Sequence, residues 1–201
     1  MESVKADTIG GFNAFLKDQK LAPGAANMSL SQFDTIFDVI YEGKPIAEAP
    51  ELSPSTFVPR GGTALLDAIG RNINRTGARL SVMQEQDRPG KVLFIILTDG
   101  EENSSREFSR EKVFAMITHQ REAYKWEFLF LGANQDAIQA GANIGIGALN
   151  AMSYASNPQG TADAFASTSQ ATRSLRAGGG AGYTMQDRSK QTAAGLKPQK
   201  P

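Results

Sequence analysis

Apolar residues along the chain fall into two patterns, contiguous runs and periodic stripes. Val92-Leu-Phe-Ile-Ile-Leu97 is six apolar residues in a row, and Trp126-Glu-Phe-Leu-Phe-Leu-Gly132 is nearly as dense. Runs like these, bounded by turn residues, predict strands buried on both faces, as in a parallel sheet covered by helices. Between the runs the apolar positions recur at helical spacing. Ile9, Phe12 and Leu16, with Phe15 beside them, predict a helix over 2–20. Leu65, Leu66, Ile69 and Ile73 predict one over 64–86, with Thr63 at its N-cap. Val113, Ile117 and Tyr124 predict one over 110–125, and Ala162, Phe165 and Leu175 one that starts at Asn157-Pro158. A short helix is expected at 133–140.

Weaker alternation at Met28, Leu30 and Phe33 predicts a strand over 26–34. A second is expected over 36–41, with Glu42-Gly-Lys-Pro45 closing the hairpin, and a short edge strand over 149–154. Prolines 50, 54 and 59 mark a loop over 47–60. Gly10-Gly11 inside the first helix costs about 1 kcal/mol per glycine in propensity, which is tolerable where another backbone packs closely. Residues 177–201 open with Ala177-Gly-Gly-Gly-Ala-Gly182 and offer little to bury, so they are expected to be a flexible tail. The alternation of helices and strands predicts an α/β fold: a Rossmann-like three-layer sandwich with a mostly parallel sheet and helices on both faces. The helices at 64–86 and 110–125 are its right-handed crossovers.

Composition narrows the functions. Lys+Arg and Asp+Glu are both 21, so the formal charge is zero and no basic footprint for nucleic acid is expected. The absence of cysteine excludes disulfides and thiolate chemistry and suits a reducing cytoplasm. No stretch approaches the roughly 20 apolar residues of a membrane helix, and residues 1–7 do not resemble a signal peptide. His119, the only histidine, lies among polar neighbours and reads as a surface residue. Gly141-Ala-Asn-Ile-Gly-Ile-Gly147 follows a helix instead of leading from a strand into one, so it is a poor phosphate loop. Lys190, Lys197 and Lys200 belong to the tail and read as solvated.

In open α/β sheets, ligands gather at the carboxyl ends of the strands. The run 92–97 ends at Thr98-Asp99-Gly100, which makes Asp99 the first candidate, although Asp-Gly also serves simply as a turn. Phe94-Ile-Ile-Leu-Thr-Asp-Gly100, taken with Gly61-Gly-Thr-Ala-Leu-Leu-Asp-Ala68, resembles the von Willebrand factor A domain, in particular its small stand-alone bacterial and phage members. Trp126 to Asn134 and the helix after Asn157-Pro158 resemble the same subgroup, so the resemblance covers residues 1–176. It implies a metal-ion-dependent adhesion site in which a divalent ion, usually magnesium, is held by an Asp-x-Ser-x-Ser loop, a threonine and an aspartate. The last two map to Thr63 and Asp99. The Asp-x-Ser-x-Ser loop and the strand before it have no counterpart here. Met1 stands where that loop's last methionine would be, from an internal start or a shortened member. The expected domain therefore lacks its first central strand.

The resemblance thus implies a non-catalytic protein–protein interaction module. Its partner would bind at the carboxyl-end face through Gly62, Thr63, Asp99, Gly100 and Glu101. Magnesium would bind weakly or not at all, because two oxygen ligands fall short of the roughly six it takes. One alternative is an assembly subunit completed by a strand from another chain, with the tail, a second copy or a partner as candidate donors. A metal-dependent hydrolase using Asp99 is less well supported, since no base, nucleophile or second ligand can be assigned.

Overall fold

The computed structural model describes residues 4–133 and 135–196. Met1, Asn134, Lys197 and Lys200, each used in the sequence reading, lie outside the described residues. The chain is α/β. Helix α1 (Lys5–Leu21) precedes an antiparallel pair, β1 (Asn27–Phe33) and β2 (Phe37–Pro45). Then come α2 (Leu65–Ser81), β3 (Leu93–Thr98), α3 (Arg110–Tyr124), β4 (Glu127–Ala133), α4 (Ala137–Ala142), β5 (Ala151–Tyr154), α5 (Pro158–Arg176) and α6 (Met185–Ala193).

Strands β3, β4 and β5 form a parallel sheet in that order, in register from Leu93↔Glu127 to Thr98↔Gly132 and from Phe130↔Ala151 to Ala133↔Tyr154. The period of two along each strand divides their side chains between two cores. Phe94, Ile96, Phe128 and Phe130 pack with the α2 stripe at Leu65, Leu66, Ile69 and Ile73 and with Val113 and Ile117 of α3. Phe94 stacks on Phe128 across the strands, with ring centroids 5.2 Å apart, and on Trp126 at 5.4 Å. Leu129, Leu131, Met152 and Tyr154 pack instead with Ala164 and Ala171 of α5 and with Tyr183. Burying this much apolar surface, at about 25 cal/mol per Å², is the main stabilising term.

β1 and β2 form a separate two-stranded sheet. Met28, Leu30 and Tyr41 pack against Phe12 and Leu16 of α1. The hairpin turns earlier than expected. Asp34 makes the turn, its Oδ1 accepting the Ile36 N–H at 2.7 Å. Residues 42–45 stay in β2, where Lys44 and Pro45 pair with Met28 and Asn27. An aspartate that bonds its own backbone two residues on is a local turn device, and it outcompetes Glu42-Gly-Lys-Pro45.

Helices α1 and α5 are in direct contact. A Cβ on Gly11 would stand 2.2 Å from Cδ2 of Phe165, so the second glycine of the pair makes room for a ring, not for a backbone. Buried Gln19 donates to the carbonyl and hydroxyl of Ser169 at 3.1 and 2.9 Å, and Arg176 donates to the Gln19 carbonyl at 2.6 Å.

Two expectations are corrected. Helix α2 ends at Ser81, with a short 3-10 turn at Glu85–Asp87 before β3. The segment expected to be a flexible tail is ordered from Tyr183 to Leu196. Thr184 and Asp187 form a reciprocal capping box that opens α6, and Asp187 also accepts from the Ser167 hydroxyl at 2.8 Å. Fully buried Gln191 accepts the Ala155 N–H at 3.0 Å and donates to the Gly160 carbonyl at 3.1 Å. Polar groups hold α6 in place, so a hydropathy pattern does not register it. No helix among the described residues is long and apolar enough to cross a membrane.

Candidate functional site

β3 delivers Thr98, Asp99 and Gly100 to the carboxyl end of the sheet. Thr98 is buried, and its hydroxyl donates to the Gly100 carbonyl at 2.9 Å. Gln135, just past β4, donates to the same carbonyl at 2.9 Å. These two bonds fix the Asp99 backbone between them, and Asp99 itself is half-buried.

The 60–64 loop comes alongside. The Thr63 N–H donates to Asn103 Oδ1 at 2.9 Å, and the Thr63 carbonyl accepts the Asn103 N–H at 3.1 Å. Thr63 Oγ1 would stand 3.1 Å from a Cβ placed on Gly100, so the two residues are neighbours. Gly62 has a φ of +88°, a conformation side chains avoid. A Cβ there would also meet Thr35 Cγ2 at 2.6 Å and Ser104 Oγ at 3.1 Å. Gly62, Thr63, Asp99 and Gly100 are thus brought to one end of the sheet, with exposed Glu101 next in the chain. Thr63 does not cap α2. Ala64 holds that position without a side-chain bond.

The residues that hold these loops are ones the sequence did not single out for that role. Glu102 takes over the start of α2: its Oε2 accepts the Leu66 N–H at 2.9 Å and the Ser105 hydroxyl at 2.7 Å. Its Oε1 accepts the N–H groups of Ser104 and Ser105 at 2.9 and 2.8 Å. Asp67, in the first turn of α2, accepts the N–H groups of Arg106, Glu107 and Phe108, each at 2.9 Å. Asp34 is buried and ion-paired to Arg60, which also donates to Asp38 at 2.7 Å. An acidic residue in the first turn of a helix suits its dipole, and that is the one signal the sequence carried for Asp67; Glu102 lies in the loop after β3 and carried none.

Burial works to raise each of these carboxyls, and their donors outweigh it. Glu102 is held below the usual range by the Ser105 hydroxyl and the three N–H groups, and Asp67 by its three N–H groups and the Arg71 charge. Asp34 is lowered by Arg60 and the Ile36 N–H. All three are scaffolding anions whose oxygens are committed to neighbouring donors.

That commitment limits the oxygens this arrangement could offer a metal. Magnesium asks for about six oxygens in near-octahedral geometry. Thr63 and Asp99 bring two, while Glu102 and Asp67 are occupied by backbone donors. Among the described residues no three His, Asp or Glu side chains cluster as a metal would require. The residues present do not fit a magnesium site by themselves. His119 is exposed on α3 and meets Tyr124 edge-on at 5.6 Å, apart from this loop cluster. In the 141–147 segment, Ile144 and Ile146 are buried in the core against α2 and α3, which gives that glycine-rich turn a packing role.

No family model, curated protein or solved structure matches the chain.

Proposed function

We propose that the chain is a non-catalytic protein–protein interaction module of the von Willebrand factor A kind, a three-layer sandwich whose first central strand is absent. Its binding face is the carboxyl end of the sheet, around Gly62, Thr63, Asp99, Gly100 and Glu101. The adhesion site there is degenerate, and magnesium adds little to binding. The observation that carries this reading is the bracing of the loops at 60–64 and 99–108. Their backbone is pinned by Glu102, Asp67 and Asn103, while the side chains of Glu101 and Asn103 stay exposed. A surface ordered before contact loses less entropy when it binds. The partner is another protein, and a cysteine-free chain suits the cytoplasm as the place to meet it.

Selection from a displayed peptide library against the full chain tests the face. Ligands should be lost with Thr63→Ala and Glu101→Arg and kept with Glu122→Arg on α3, and EDTA should change their affinity little. Ligands indifferent to Thr63→Ala, Glu101→Arg and Asp99→Ala would place binding elsewhere. The hydrolase alternative has a direct check: magnesium-dependent turnover of a phosphoester, abolished in Asp99→Asn, would replace the module reading.

A further inference from the structure

Helices α2 and α3 both pack on the core around Phe94 and Phe130, and a groove of about 490 Å³ lies between them. Its apolar part is Ile73, which is buried, and Met116, which packs on the same core. Gly77 and Ala115 line it with almost no side chain. Lys112 and His119, both exposed, are its basic groups, and no carboxylate lines it. From Lys112 to Gln120 the groove follows about 12 Å of α3, at the usual helical rise.

Two of these residues run against local preference. Glycine inside a helix is a weak helix former. At Gly11 and Gly70 a ring demands it, since a Cβ would stand 2.2 Å from Phe165 and 2.4 Å from Phe108. At Gly77 a Cβ would meet nothing within 4 Å, so the chain's own packing does not require this glycine. Lys112 is the third residue of α3, where the positive end of the helix dipole opposes a cation. Arg71 and Arg75 on α2 each have a carboxylate, Glu107 at 2.7 Å and Glu42 at 2.9 Å. Lys112 has none among the described residues, and its ammonium stands 4.4 Å over the Phe108 ring. Departures from local preference that the fold does not use are expected where a chain meets something else.

We propose that the α2–α3 groove takes an amphipathic helix of another protein, laid along it with its apolar stripe on Ile73 and Met116 and an acidic residue against Lys112. Charge complementarity commits the occupant. The groove offers a lysine and a histidine but no carboxylate, so its partner brings one. The short lining at Gly77 and Ala115 lets a helix, about 10 Å across, come close to α2 and α3. A small molecule fits less well, because such ligands are buried over most of their surface, whereas the lining at Lys112, Ala115 and His119 is exposed. This inference stands on two helices and is independent of the loop face proposed above.

The test uses the full chain with its alanine and methionine methyl groups labelled for NMR. The probe is a stapled helical peptide with leucines at i, i+4, i+7 and i+11 and glutamates on both flanks, and its twin carries lysines in place of the glutamates. The acidic peptide should bind saturably and shift the Ala115 and Met116 methyl signals most, and the lysine twin should bind about tenfold more weakly. Gly77→Leu fills the groove with a better helix former, so it should keep the fold and weaken the acidic peptide by about tenfold or more. Lys112→Glu, which suits the start of α3, should reverse the preference between the two peptides. Thr63→Ala should leave binding unchanged, which separates the groove from the loop face. No shift at Ala115 and Met116, equal binding of the twin, full affinity in Gly77→Leu or loss of binding in Thr63→Ala would overturn the proposal. So would a peptide-free dimer dissolved by Gly77→Leu, which would give the groove to a second copy.

Discussion

Strands β3 and β4 lie side by side, have nearly the same apolar density and share the same two cores, yet they are not equally buried. From Phe128 to Leu131 no residue of β4 is more than 1% exposed, whereas in β3 Ile96 is 7% and Ile95 37% exposed. Composition cannot account for this. Among the described residues, β4 has a strand on each side, and β3 has one on one side only. Burial of a strand is therefore set as much by its neighbours in the sheet as by its side chains. A run apolar enough to be buried on both faces can instead stand at the edge of a sheet. β3 is held by β4 along one edge and by the Glu102 and Asp67 network at its carboxyl end.

Truncation of a β4 core residue should have the largest effect. Phe130→Ala should cost about 3–5 kcal/mol in chemical denaturation, the usual range for a fully buried phenylalanine. Next comes the brace after β3: Asp67→Ala leaves three N–H groups without their acceptor and should cost about 2–3 kcal/mol. Ile95→Ala should cost only about 1 kcal/mol, because much of that side chain already meets water. If Ile95→Ala matched Phe130→Ala, the contrast between the two strands would collapse. The smallest change should come from Glu107→Gln, which removes an exposed pair with Arg71 and should stay within about 0.5 kcal/mol.

Acid sharpens the same comparison. Asp67, Glu102 and Asp34 are all lowered in the folded chain. As pH falls, the unfolded chain therefore takes up the protons first. Their contribution is whole above about pH 5 and declines as pH drops through the unfolded value of about 4 toward the lower folded values. Amide exchange in 102–108 should accelerate in that window before exchange in β4 does, and Asp67→Asn should flatten the dependence. Loss of protection in β4 first would show that the brace is not what acid releases.

Much of the fold was legible in the sequence. The apolar runs marked β3 and β4, and the stripes on α1 and α2, with Val113 and Ile117 of α3, marked which faces they bury, because the apolar period follows directly from backbone geometry. Tyr124 and Ala162, expected to face inward, are exposed. Helix α5 instead buries a face of small and hydroxyl residues, Thr161, Ala164, Ser167 and Thr168, that carries no apolar stripe. Gly62, Thr63, Asp99 and Gly100 were legible as a group lying near one another at the carboxyl end of the sheet. The brace behind them was not, because Glu102 and Asp67 act on N–H groups whose positions depend on how the loop folds back. Helix α6 was missed for a related reason. Gln191, Asp187 and Arg188 look like solvated tail residues until their partners at Ala155, Ser167 and Ala151 are known.

The sequence by itself determined the helix and strand segments up to α5, apart from their ends, the α/β class and the residues that converge after β3. Each of these follows from local periodicity or from chain order. Only the tertiary structure decided which carboxylates serve as scaffold, that the last helix packs on β5, and that β4, not β3, has a strand on each side among the described residues. Hydrogen-bond partners and sheet edges are relations between distant segments, and no local pattern encodes them.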